Sequence, residues 1–99
     1  MKIDSQKDGE NLTLKLEGRL ETSTAPKLQE VVDKELEGIM KLLIDLEELE
    51  YVSSAGLRVL LAASKKMKAK QGNMVVCHVG EDIMEVFEIT GFNDILNIQ

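Results

Sequence analysis

Two short apolar runs, Ile39–Ile44 and Met74–Val79, constrain this chain more than any other feature. The first, broken only by Lys41, reads as a central strand buried on both faces, and the second as another buried strand. Between them Leu57, Leu60, Leu61, Ser64 and Met67 recur at helical spacing, as expected of a helix with one buried face. Strand, helix and strand in that order close through a right-handed crossover. The chain is therefore an α/β protein.

The flanking segments extend the pattern. Leu12, Leu14 and Leu16 alternate with polar residues, the period of a half-buried strand, and a first strand at Ile3–Gln6 pairs with it through the turn Lys7–Glu10. Leu28, Val31, Val32 and Leu36 line a first helix, with Thr24 as its cap, Pro26 in its first turn and Gly38 after its end. Asp45–Ser53 reads as an acidic loop, and the second helix runs from Ser53 or Ser54 to near Gly72. A third helix carries Ile83, Val86, Phe87 and Thr90, with Asp82 as cap and Gly91 beyond its end. Phe92, Ile95, Leu96 and Ile98 form a short last strand or a docked tail. The expected order is ββαβαβα: a mixed sheet, with a leading antiparallel hairpin and parallel strands, packed with helices.

Nothing in these 99 residues divides them, so residues 1–99 read as one domain. The net charge of −6 opposes the positive surface that a nucleic-acid binder needs. The one basic cluster, Lys65, Lys66, Lys68 and Lys70, falls where the end of a helix favours cations. No apolar run reaches the ~20 residues that cross a bilayer, so no membrane insertion is expected. The start lacks the pattern of a signal peptide, and the lone cysteine, Cys77, cannot form an internal disulfide. Cytoplasm is the expected address.

Catalytic constellations are not apparent, and no enzyme activity, cofactor or metal is expected. Cys77 and the only histidine, His78, are adjacent; continued as a strand, they point to opposite faces and cannot share a metal or act as a dyad. The segment Gly18–Ser23 has neither dinucleotide-binding spacing nor a P-loop lysine, and Glu47–Glu50 lacks the pattern of a calcium loop. The exception is Tyr51–Arg58. It joins a buried strand to a helix start, on the side of a parallel sheet where ligands and partners bind. A purely structural role accounts for much of it: Ser53 or Ser54 caps the helix, and Ala55 and Gly56 are small because the helix packs closely. A hydroxyl at a helix start is also well placed to carry a phosphate, since free N–H groups and the dipole stabilise an anion there.

The run Asp45-Leu46 followed by Tyr51–Leu60 resembles the signature of the STAS family, and more closely its stand-alone bacterial anti-sigma-factor antagonists. Leu16–Pro26 resembles the family's other recurrent element, and Phe87–Phe92 its C-terminal pattern. The likeness covers essentially the whole chain. It implies a STAS-like fold and a partner switch. The unphosphorylated antagonist binds an anti-sigma factor, itself a serine kinase of the histidine-kinase-like ATPase fold, and so frees the sigma factor. Phosphorylation ends the complex, and a PP2C-type phosphatase resets it.

By the family's register the acceptor is Ser54, two residues before Gly56; Ser53, where many members have aspartate, is the second choice. Glu21 stands where the family often has aspartate. The partner surface expected from these loops is Glu21, Thr22, Ser23 and Thr24 with Ser53, Ser54, Ala55, Gly56 and Arg58. The alternative reading is a STAS regulatory subunit of a transporter or other signalling assembly, sharing this surface without being phosphorylated.

Overall fold

The computed structural model describes residues 1–99. The elements are β1 (Lys2–Asp8), β2 (Asn11–Leu20), α1 (Ala25–Glu35), β3 (Lys41–Val52), α2 (Ser54–Ala69), β4 (Asn73–Cys77) and α3 (Glu81–Thr90), followed by a short 3-10 turn at Phe92–Asp94. The strands lie in the order β1-β2-β3-β4, with β1 antiparallel to β2 and the other neighbours parallel. The mixed sheet expected from the sequence is the one observed. Each crossover steps the same way across the sheet, so right-handed connections place α1 and α2 on one face, and Ile83 and Phe87 pack α3 into the same core. On that face Leu12, Leu14, Leu16, Leu42, Ile44, Leu46 and Val76 meet Leu28, Val32, Leu60, Met67 and Phe87 in a single core of 24 buried residues. Successive strand residues alternate between faces, so Lys15, Asp45 and Cys77, which stand opposite one another across the three parallel strands, lie on the face without helices.

Five local expectations need correction. The segment Asp45–Ser53 is not a loop: β3 continues to Val52. Its pairing with β2 slips twice, between Lys15 and Glu17 and between Gly18 and Arg19, and each time β3 supplies one residue more than β2. These bulges stretch the spacing of inward residues from two to three, so the buried Leu46, Leu49 and Val52 mimic an irregular segment. Nor is β3 buried on both faces, since helices cover only one and Leu43 is half-buried.

Thr24 occupies the position before α1 but makes no side-chain cap there; its hydroxyl is engaged in the preceding loop. Gly80, not Asp82, precedes the first residue of α3, and Asp82 sits inside its first turn, where a carboxylate suits the helix dipole.

The end of β4 departs most. The strand stops at Cys77, and His78 takes φ 55°, a left-handed conformation rare for a residue with a side chain. The ring therefore does not continue the strand's alternation. Its Nδ1 lies 3.5 Å from Cys77 Sγ and 3.0 Å from Asp45 Oδ1, so the two neighbours that were expected to diverge share one site.

Of the lysines closing α2, Lys66 pairs with Asp33 of α1 at 2.6 Å and Lys70 donates to the Leu36 carbonyl. Beyond α3 the tail docks against β4 rather than forming a strand. It makes a single parallel bridge, Val76 to Ile98, held by Val76 N–H to Asn97 O and Gln99 N–H to Val76 O, both 2.9 Å.

Candidate functional site

β2 and β3 end side by side, and Ser53 N–H donates to Leu20 O at 2.8 Å across their tips. This bond fixes the two segments that follow, Glu21–Thr24 and the start of α2, at the same edge of the sheet. All nine residues expected at the surface lie in these two segments.

The first segment is tied internally. Thr24 Oγ1 accepts from Glu21 N–H at 2.9 Å and donates to Arg19 O at 2.7 Å, while Ala25 N–H donates to Glu21 O at 2.7 Å. The Glu21 carboxylate accepts from Arg19 Nε at 3.2 Å and from the Ser23 hydroxyl at 3.3 Å. Thr22 and Ser23 stay exposed. A hydroxyl at position 24 thus holds the loop that presents Glu21.

The second segment separates the two serines. Ser53 is extended, at φ −99° and ψ 175°, and its half-buried hydroxyl accepts from Gly56 N–H at 3.4 Å, capping α2. Ser54 is the first helical residue, exposed, with its hydroxyl outside that cap. Gly56 lies against the sheet: a Cβ there would come within 2.6 Å of Leu20 Cγ and 3.0 Å of Val52 Cγ2. Capping by Ser53 and close packing at Gly56 therefore both operate. Arg58, exposed, lines a shallow groove with Thr22, Pro26, Gln29, Ala55 and Val59, between the starts of α1 and α2.

Sequence reasoning did not pair Arg19 with Tyr51 or place them at the expected surface. They are register partners on β2 and β3, and the Arg19 guanidinium lies 4.3 Å from the centre of the Tyr51 ring. With Tyr51 40% exposed, this is an accessible aromatic and a cation at the edge of the same surface. Their pairing follows a bulge, so no regular alternation in the sequence would have matched them.

The cluster at the end of β4 lies apart, because β3 runs a further seven residues from Asp45 to Val52 before reaching the surface loops. Asp45 Oδ1 also accepts from Glu47 N–H at 3.0 Å. Burial works to raise the Asp45 carboxyl, but the Glu47 N–H and the His78 ring outweigh it and hold it below the usual carboxylate range. Burial, with the charges of Asp45 and Glu47, pushes the Cys77 thiol up.

The sequence profile of the STAS domain family matches residues 2–99. The anti-sigma-B factor antagonist of Listeria monocytogenes is 33% identical, over 95% of this chain and 83% of its own. An anti-sigma factor antagonist from Mycobacterium paratuberculosis superimposes with a TM-score of 0.86, at 21% identity, over 98% of this chain and 83% of its own. The antagonist SpoIIAA in its unphosphorylated form superimposes with a TM-score of 0.76, at 14% identity, over 99% and 87%. In its phosphorylated form the TM-score is 0.70, over 99% and 91% at the same identity. No helix of this chain is long and apolar enough to cross a membrane.

Proposed function

The chain belongs to the STAS domain family, and from that premise we propose that it is an anti-sigma factor antagonist switched by phosphorylation of Ser54. In the unphosphorylated state it binds, in the cytoplasm, an anti-sigma factor that is also a serine kinase of the histidine-kinase-like ATPase fold, and so frees the sigma factor. Transfer of phosphate to Ser54 ends the complex, and a PP2C-type phosphatase restores it. The chain contributes binding surface and an acceptor hydroxyl, not catalysis.

The observation that carries this reading is the division of labour at the start of α2. Ser53 is occupied as the cap, while the neighbouring Ser54 hydroxyl is exposed at the helix N-terminus beside the Glu21–Thr24 loop. Free N–H groups and the helix dipole stabilise an anion at that position. The experiment is incubation with the cognate kinase and ATP, followed by mass spectrometry. Phosphate on Ser54, absent from Ser54→Ala, is the expected result; modification confined to Ser53 overturns the assignment. Affinity capture should retrieve an ATPase-fold kinase, and retrieval of a transporter component instead would favour a regulatory subunit.

A further inference from the structure

His78 is held in a left-handed conformation, and that conformation folds its ring back toward β3. Nδ1 then faces two donors at once, Cys77 Sγ at 3.5 Å and Asp45 Oδ1 at 3.0 Å, and ligand atoms of all three residues lie within 4.8 Å of one another. We infer that Asp45, Cys77 and His78 form a binding site for a divalent cation of the zinc class, with a fourth position open to water.

The dimensions support this reading. Bonds of about 2.0–2.2 Å to nitrogen and oxygen and about 2.3 Å to sulfur, directed tetrahedrally, set donors roughly 3.3–3.6 Å apart. Two of the present separations differ from that range by at most a few tenths of an ångström, and the edge from sulfur to carboxylate, within 4.8 Å, has to shorten by up to about 1.2 Å on binding. The chemistry selects the ion as well. Calcium and magnesium require six or more oxygen ligands, whereas thiolate, imidazole and carboxylate together suit zinc.

The surroundings already resemble a support for bound metal. The Glu47 N–H holds the Asp45 carboxylate in place, as outer-shell donors hold metal ligands. The adjoining groove sets Asp4, Glu17, Glu47 and Glu48 against Lys2 and Lys15, a balance that favours a cation. His78 leaves one side of the cluster open to solvent, which gives the ion a path of entry. On ligation the Cys77 thiol releases its proton to solvent. The bound ion would tie β3 to the turn before α3. This site does not depend on the switch at Ser54, since it uses none of that surface.

The test uses the reduced, chelator-treated full chain with cobalt as a spectroscopic probe and zinc as competitor. One equivalent of cobalt should give intense tetrahedral d–d bands and a thiolate-to-cobalt charge-transfer band, both abolished by zinc. Cys77→Ser should lose the charge-transfer band. His78→Gly, which suits the left-handed backbone, should weaken binding by more than the roughly 10–100-fold that loss of an outer-shell partner typically costs. Circular dichroism confirms that both variants fold. Weak octahedral spectra without a thiolate band, or wild-type affinity in both variants, overturn the inference.

Discussion

Gly56 leaves no room for a side chain in the first turn of α2. An added Cβ would press on Leu20 and Val52, the residues that close β2 and β3. Gly56→Ala should therefore destabilise the fold by about 1–3 kcal/mol, the usual cost of overpacking, read as a lower urea midpoint at unchanged slope. The paired serines separate under substitution. Ser53→Ala removes a long, half-buried cap and should cost about 0.5–1 kcal/mol while leaving phosphorylation at position 54 intact, checked by urea titration and mass spectrometry. Ser54→Ala should keep its stability and its partner but resist inactivation by ATP. Ser54→Asp should stay folded and lose affinity, because a charge must be desolvated against a surface shaped for a hydroxyl. A penalty of about 3 kcal/mol is already more than a hundredfold in Kd, measurable by calorimetry. At this scale the sequence was legible where a residue's chemistry is local, as for Gly56 or the cap at Ser53. It was not legible at His78, whose geometry turns on where β4 stops.

Among the elements, β3 carries the main lesson. Its first half announces itself through a continuous apolar run, and its second half hides because two bulges replace alternation by three-residue spacing. Bulges arise from pairing with a neighbour, so they leave no periodic trace in one strand alone. The same slips align Arg19 with Tyr51, which explains why that pair escaped notice. The loop Glu21–Thr24 was legible as a connection, but not the way Thr24 braces it from within. The Glu21 carboxylate holds an exposed ion pair with Arg19 and a long bond from the Ser23 hydroxyl, both of small energetic weight. Glu21→Ala should thus leave unfolding within about 0.5 kcal/mol of wild type yet weaken binding of the anti-sigma factor, as should Arg58→Ala. Unchanged affinity in both variants would place the partner elsewhere.

For the whole molecule, the switch proposed at Ser54 sits on a rigid base. The Ser53-to-Leu20 bond and the packing of Gly56 seat the start of α2 on the sheet before any phosphate arrives. A phosphate adds about −1.5 to −2 charge at a helix end that accommodates anions. Chemical shifts on phosphorylation should accordingly change in residues 51–58 and 21–24 and stay near their original values in β1, β4 and α3. Widespread changes through the sheet would instead require a global rearrangement. The order of elements follows from hydrophobic periodicity and crossover handedness, both carried by sequence, which is why the topology was legible; the one-sided packing was not, because the apolar run of β3 reads as buried on both faces.

The two margins of the sheet carry different risks of self-association. β1 presents Lys2, Asp4, Gln6, Lys7 and Asp8, a charged border that discourages a second molecule from adding a strand. β4 is short, mostly apolar, and screened by the tail through one backbone bridge at Val76 and the packing of Leu96 and Ile98. Detaching the last seven residues would uncover Met74, Val75 and Val76 as a sticky hem. Such a truncated chain should associate more strongly with rising concentration than the full chain in light scattering, and Val75→Lys should reverse that increase.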